Sequence, residues 1–466
     1  MKRIAFFCIP AHGHTNPMLP VAAELVQCGN TVRFYSFNEF ETSIRSTGAD
    51  FISCDSYLPD LAEQEEKGLK NVSTTEMTVQ DIRITCSMDG FLDEEFKTFR
   101  PDVVYTDSVC FWGKLNAWKH NVPMVVSTST FAFNQMSSQY MGNTLGELAD
   151  MIFGLPRVSK ELKTLEPYGY HVEGALSLVR SDNNTDSIVY TSRRFQPYVE
   201  SFSDHYVFVG PSVFSKADPN KDKTRPLVYI SMGTVINDRP DFYAKCIDAL
   251  KGQNIDVIIS CGNAIDRDAL GTLPDNIHVH PHVDQLDILS GADVFITHCG
   301  MNSVSESLYM ATPMILYPQT SEQKAVARRV TEMNAGLMLN DDSVDGIRSA
   351  VQEVLDNTAY EHAAEECGSD FRSCAGAAGA AEFIEHAPHS SDGIDILGEL
   401  DKANGKFQSA YWLIVIAAIN LIGFLISWEY VWIMGIAAGI LSTPIGKRMQ
   451  KKKYVSLVEK ARTRSA

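Results

Sequence analysis

A chain of 466 residues that is 45% apolar and 21% charged has room for two to three globular domains and is neither disordered nor fibrous. Its formal charge of −18 is uneven: ten Lys/Arg against three Asp/Glu from Asp401 onward leave that tail at +7 and the body at −25. An acidic body excludes nucleic acid as a partner, because binding it requires a basic face.

The start, Met1–Ile9, has the look of a signal peptide, but its apolar run stops at Pro10 without a small-residue cleavage site, so a first β-strand over Ile4–Ile9 is expected. A helix over Leu19–Gln27 follows, then strands at Val32–Tyr35, Asp102–Tyr105 and Met124–Ser127. Short β-rich apolar runs separated by helical periods imply a parallel sheet covered on both faces. Val207–Pro211 closes this unit, and the polar stretch Ser215–Arg225 reads as a linker. A second α/β unit opens at Leu227–Thr234, with later strands at Val257–Ser260, Ile277–His280, Val294–Thr297 and Met314–Tyr317, and a last helix near Ala380–Glu385. The expected layout is therefore 1–211, a linker over 212–226, and 227–386, two doubly wound Rossmann-like domains facing a cleft at the C-terminal ends of their strands. The ten cysteines are scattered with no CxxC pair, which suits reduced core residues of a cytosolic body.

A second linker is expected over 387–409. Ala410–Ile426 and Tyr430–Ile445 are apolar runs broken by Ser427-Trp-Glu429, and the basic cluster Lys447–Lys453 opens the tail 447–466. Basic flanks on both sides predict a transmembrane helical hairpin over 410–446 with both ends, and the catalytic body, on the cytoplasmic side of the cell membrane.

Chemistry concentrates at strand ends. Val294–Thr297 ends in His298-Cys-Gly300, and a helix is expected to start near Asn302 or Ser303, which aims backbone N–H groups and a helix dipole at one point suited to a phosphate. Ser231, Gly233 and Thr234 end another strand; with His298, Asn302 and Ser303 they can hold a diphosphate without a metal. Glu306 could accept two ribose hydroxyls, or cap Ser303 in an S-x-x-E box; the residues alone leave both open. Glu322 and Gln323 open a helix and could meet sugar hydroxyls, though polar residues open most helices. In the first unit His14 follows the first strand and could act as a base, or merely cap a helix entry. Asp107 ends another strand and could orient His14, or cap a helix starting at Ser108. Asp266, Asp268, Asp341 and Asp342 sit in loop or helix-start contexts, and no metal is expected.

These residues together resemble the UDP-dependent glycosyltransferases (glycosyltransferase family one), most closely the bacterial macrolide-type branch, over roughly residues 1–385. The motifs that carry the resemblance are His282-Val-Asp-Gln285, His298-Cys-Gly-Met-Asn-Ser-Val-Ser-Glu306, Pro318-Gln with Glu322-Gln323, and His12-Gly-His-Thr-Asn-Pro17. The resemblance implies the α/β GT-B fold, with an acceptor domain first and a donor domain second. It implies a UDP-sugar co-substrate, UDP-glucose by the Glu-Gln ending, and no other cofactor. It assigns the diphosphate to His298, Asn302 and Ser303, the ribose to Glu306, the sugar to Glu322 and Gln323, and the uracil and ribose to Gln285 and the backbone near Val283. His14 takes the role of base, with Asp107 as its partner. Two positions depart from the family: His282 stands where a uracil-stacking Trp is frequent, and Asp284 where Pro is usual. The tail also departs, and its apolar runs point to a lipophilic acceptor such as a sterol-like compound, polyketide, diacylglycerol or polyprenyl lipid. The first-domain stretches Met136–Met141 and Met151–Leu155 could line its pocket or belong to the core. Dedicated glycolipid synthesis and a UDP-sugar 2-epimerase are the rival activities.

Overall fold

The computed structural model describes residues 1–58, 73–134, 136–141, 145–172, 184–213, 224–234, 237–262, 273–390, 396–425 and 445–460. Two all-parallel sheets organise them. The first holds β1 (Arg3–Phe7), β2 (Thr31–Ser36), β3 (Asp50–Ser53), β4 (Val103–Asp107), β5 (Met124–Thr128), β6 (Asp186–Val189) and β7 (Tyr206–Phe208), in the order β3-β2-β1-β4-β5-β6-β7. The second holds β8 (Leu227–Ser231), β9 (Asp256–Ser260), β10 (Ile277–His280), β11 (Val294–Thr297), β12 (Met314–Leu316) and β13 (Gly336–Met338), in the order β10-β9-β8-β11-β12-β13.

Both orders reverse once, between β1 and β4 and between β8 and β11. In an open parallel sheet the loops leaving two such strands turn to opposite faces, and a ligand crevice opens between them. The central strands are covered by helices on both faces: every residue of β4 and β11 is buried. The Thr74–Phe99 helix is 26 residues long. Ser73 caps its start by accepting the Glu76 N–H at 3.2 Å, and Arg100 ends it in the left-handed region, φ 52°, just before Pro101.

The chain crosses between the units twice, side by side. Gly210, with φ 74°, has no room for a Cβ beside Cys374, and the Gly376 N–H donates to Val209 O at 2.8 Å. The Gly376–His386 helix, which sequence reading places at the end of the second unit, packs into the core of the first: Ala380, Ala381, Phe383 and Ile384 join the cluster that holds Phe6, Phe34 and Tyr105.

The expected membrane hairpin, and with it the membrane as partner and the cell-membrane location, is overturned. Among the described residues no helix is long and apolar enough to cross a membrane. Ala410–Leu425 is the second half of a 30-residue helix, Ile396–Leu425, whose first half carries Glu399, Asp401, Lys402 and Lys406. The Tyr430–Ile445 run lies outside the described residues except for Ile445. The helix 445–460, part of the expected basic tail, turns back onto protein. Tyr454, Leu457 and Val458 are buried with Leu400 and Met136, and the Tyr454 hydroxyl donates to Glu200 Oε2 at 2.9 Å. Hydropathy registers the apolar run but not the charged turns that precede it or the surface that receives its partner helix.

Candidate active site

β1 and β4 run side by side, with Phe7 opposite Thr106, so the residues just past their ends meet. After β1 the chain makes one short helix, His12–Thr15, which points His14 back toward β4. Asp107, the last residue of β4, is fully buried. Its Oδ2 lies 2.8 Å from His14 Nδ1, and its Oδ1 accepts the Val109 N–H at 2.9 Å. The next helix starts at Phe111, with Cys110 as its N-cap, so Asp107 is not a helix cap. A carboxylate only accepts, so the imidazole proton sits on Nδ1 and Nε2 keeps its lone pair. Burial opposes charge on His14, but the charge and hydrogen bond of Asp107 outweigh it, Glu322 adds to them, and the pKa is raised from 6.5. The side chain remains 28% exposed, so a partner can reach it.

Ser129, just beyond β5, was not found from the sequence. Its Oγ is 3.1 Å from the same His14 Nδ1. Serine and aspartate therefore meet one nitrogen, which rules out a Ser-His-Asp hydrolase arrangement, where they take opposite nitrogens. A lone serine 115 residues from His14 carries no local signal beyond its strand-end position.

In the second sheet, the β8 and β11 turns converge on His298. A Cβ on Gly233 or on Gly300 would come within 2.5 Å of its ring, so the imidazole is seated between two bare backbones. Gly233 also has φ 78°, which favours glycine. Burial pushes His298 down to about 4, against a main-chain interaction with Ser231, so the ring is neutral at pH 7. The Met301–Tyr309 helix starts at an N-cap, Gly300, that has no side-chain cap, leaving its first N–H groups for an anion. Ser231 Oγ accepts the Gly233 N–H at 3.3 Å, and Thr234 is exposed beside it.

Glu306 does not close a capping box with Ser303. Its Oε2 accepts from Gln285 Nε2 at 2.6 Å, and the same amide reaches Ser303 Oγ at 3.2 Å. Tyr229 OH steadies Gln285 from behind at 3.3 Å. Burial pushes Glu306 up to about 7; Asp284 adds to this and the Gln285 hydrogen bond opposes it. Asp284 itself is the N-cap of the Gln285–Gly291 helix and accepts the Asp287 N–H at 3.2 Å, a physical role for the residue that departs from proline. His282 is exposed and Val283 half-buried just before it.

The capping box lies instead at Thr320, whose Oγ1 accepts the Gln323 N–H at 3.2 Å while Gln323 Oε1 accepts the N–H of Thr320 and of Gln319. The amide oxygen of Gln323 is thus engaged, and its NH₂ is left to donate. Glu322 is exposed beside it, close enough for His14 to feel its charge. Asn302 Nδ2 donates to Gly13 O at 2.9 Å, joining the Met301–Tyr309 helix to the His14 helix between the two units. A pocket there is lined by Asn16, Pro17, Asn302, Ser305 and Glu306.

Of the remaining candidates, Met136 is buried under the C-terminal helices and the Tyr140 hydroxyl donates to Glu332. Phe153 is 82% exposed. Asp342 accepts from Tyr317 OH at 2.8 Å and pairs with Lys245, while residues 266–268 lie outside the described residues.

Residues 244–378 match the model of the erythromycin biosynthesis protein CIII-like C-terminal domain. NDP-glycosyltransferase YjiC of Bacillus licheniformis is 31% identical over 395 residues, covering 82% of this chain and 97% of the relative. The chain belongs to the macrolide-type UDP-glycosyltransferases. A protein of Bacillus subtilis named uncharacterized UDP-glucosyltransferase YojK is 29% identical, covering 83% of this chain and 98% of its own. The solved glycotransferase of kitacinnamycin superposes with a TM-score of 0.71 at 24% identity, covering 82% of this chain and 98% of that one, which establishes the GT-B fold. The enzyme is a glycosyltransferase that moves a sugar from a nucleoside-diphosphate sugar, and the loops after its two strand-order reversals meet where Asn302 donates to Gly13.

Proposed function

We propose that this glycosyltransferase moves a hexose, glucose by preference, from a UDP-sugar to a hydroxyl of a lipophilic small molecule, inverting the anomeric centre. The observation that carries the reading is the 2.8 Å contact of His14 Nδ1 with buried Asp107, which leaves the lone pair on Nε2. Nε2 takes the hydroxyl proton, the oxygen attacks the anomeric carbon in line, and UDP leaves toward His298 and the Met301–Tyr309 N-terminus. Asp107 stabilises the imidazolium that forms. An α-linked donor yields a β-glycoside, and no covalent intermediate is required.

A lipophilic acceptor is supported by exposed apolar side chains on two neighbouring helices of the first domain. Met77 is on Thr74–Phe99, and Phe153 and Leu155 are on Leu145–Leu162; the helices are joined where the Thr75 N–H donates to Asp150. The same end of the longer helix lies near the reaction centre: burial and the charge of Asp107 push Asp81 up to about 7. Glucose is supported by the Glu322-Gln323 ending and by the name of the Bacillus subtilis relative, a UDP-glucosyltransferase.

The test is a matrix of UDP-sugars against hydroxylated lipophilic compounds, followed by mass spectrometry. The expected product is an acceptor carrying one added hexose. His14→Ala should lower transfer by about 10²- to 10⁴-fold while UDP still binds. Normal turnover by that variant would refute the mechanism, and conversion of the UDP-sugar without any acceptor would point to an epimerase instead.

A further inference from the structure

Arg239 lies outside every assignment made above. It precedes the Pro240–Leu250 helix, and its guanidinium is held on three sides. Nη1 donates to Gln319 Oε1 at 3.1 Å, Nη2 to Tyr317 OH at 3.2 Å, and Nε to Asp241 Oδ1 at 3.3 Å. Tyr317 is fixed in turn: its ring stacks on Phe242 with centroids 4.3 Å apart, and its hydroxyl donates to Asp342. Arg239 is therefore anchored to the end of β12 and reaches out to Gln319.

Gln319 is the link to the site. Its N–H is bound by Gln323 Oε1 at 2.8 Å, inside the capping box that orients Glu322 and Gln323. Its Nε2 lies 3.9 Å from Met232 Sδ, in the turn after β8 that contains Gly233. One guanidinium thus ties the turn that carries the sugar-facing pair to a fixed aromatic cluster, through a glutamine that also touches the phosphate-side turn. A planar fork can serve Gln319 and Tyr317 together, which a lysine ammonium on a flexible stem does less well.

We propose that Arg239 is a positioning residue for the sugar end of the donor, holding the 318–323 turn through Gln319 so that it sets the grip on the hexose and not on the UDP. The inference rests on the reading that Glu322 and Gln323 face the sugar. Its basis is the hydrogen-bond path from Arg239 through Gln319 to Gln323, with Met232 alongside.

The test compares wild type with R239Q, R239K, Q319A and the R239Q/Q319A double variant. Binding of UDP and of UDP-glucose is measured by calorimetry, and transfer kinetics are measured at saturating acceptor. R239Q and Q319A should each raise KM for UDP-glucose about tenfold and leave the Kd for UDP within about twofold, with R239K between them and wild type. The double variant should be no worse than either single one, because both break the same path. An unchanged UDP-glucose KM in R239Q, equal weakening of UDP and UDP-glucose, or multiplying effects in the double variant would each overturn the proposal. If R239Q fails to fold, Q319A and R239K decide by the same criteria. A wild-type enzyme that binds UDP-glucose more tightly than UDP yet transfers nothing refutes the hexosyl-transfer reading alone; the binding comparison then still decides the role of Arg239.

Discussion

Two residues set the pH behaviour of the site. His14, as the proposed base, must be neutral to take a proton, and its pKa is raised above 6.5, so activity should fall as pH drops through a value higher than an ordinary histidine's. The sign for stability is the opposite: the His14–Asp107 pair contributes fully below 6.5, and its contribution is lost as pH rises through the folded value. Asp107→Asn should therefore move the acid limb of the kcat profile to lower pH while reducing kcat itself; a limb that stays in place would show that Asp107 does not set the His14 pKa. Glu306 gives a second test. Its pKa of about 7 reflects burial without a cation, and ribose hydroxyls donating to it would favour the charged form. UDP binding near pH 7 should therefore release a proton from Glu306, seen as calorimetric heats that change with buffer ionisation enthalpy. Glu306→Gln should remove that part of the buffer dependence, and an identical dependence in both proteins would refute the ribose assignment. The same residue shows where sequence patterns stop. Ser303-x-x-Glu306 and Thr320-x-x-Gln323 both fit a capping box. Only the second is one, because Gly300 starts the first helix one turn earlier and leaves Glu306 facing Gln285.

At the scale of elements, the strands that carry the site were legible, and Ile277–His280 and Val294–Thr297 have the bounds that the apolar runs suggest. Val294–Thr297 is buried at every residue and stands out as a continuous apolar run, while Ile277–His280 at the sheet edge alternates buried and exposed residues. The strands Asp50–Ser53, Asp186–Val189 and Gly336–Met338 did not stand out, because two begin with a carboxylate and the third with a glycine. Asp186 is tolerated in a strand only because His205 and His389, remote in sequence, bind its two oxygens at 2.6 and 3.1 Å. Ser129 was missed for the same reason, since its partner comes from another strand end. The turns around His298 were legible as glycine-containing, but not that the ring needs both glycines. Gly300→Ala places a Cβ 2.5 Å from Nε2 and must move the imidazole. It should weaken UDP binding by at least about tenfold, or ~1.4 kcal/mol, with the fold retained. Unchanged UDP affinity measured by calorimetry would mean that His298 does not hold the diphosphate.

At the scale of the whole molecule, the two doubly wound units were legible and the fate of the C-terminal segment was not. Composition gives an apolar run the same reading whether it faces lipid or ends a helix that is half polar. The difference lies in Leu400, Tyr454, Leu457 and Val458, which are buried against Met136 of the first unit. Leu457→Asp places a charge in that small cluster and should release the 445–460 helix, making the segment after residue 396 a preferred site of limited proteolysis. Transfer should continue at close to the wild-type rate, because no site residue lies in that cluster. Protease resistance equal to wild type would show that Leu457 does not hold the helix in place.

The Gly376–His386 helix has a consequence for anyone who recombines these enzymes. It follows the second unit in sequence, yet Ala380, Ala381, Phe383 and Ile384 complete the interior of the first. A chimera spliced at 386 would graft a foreign plug into the host's interior and strip the host of its own. A junction at Gly376, where the chain is already bound to Val209, keeps each half with the residues that fill it.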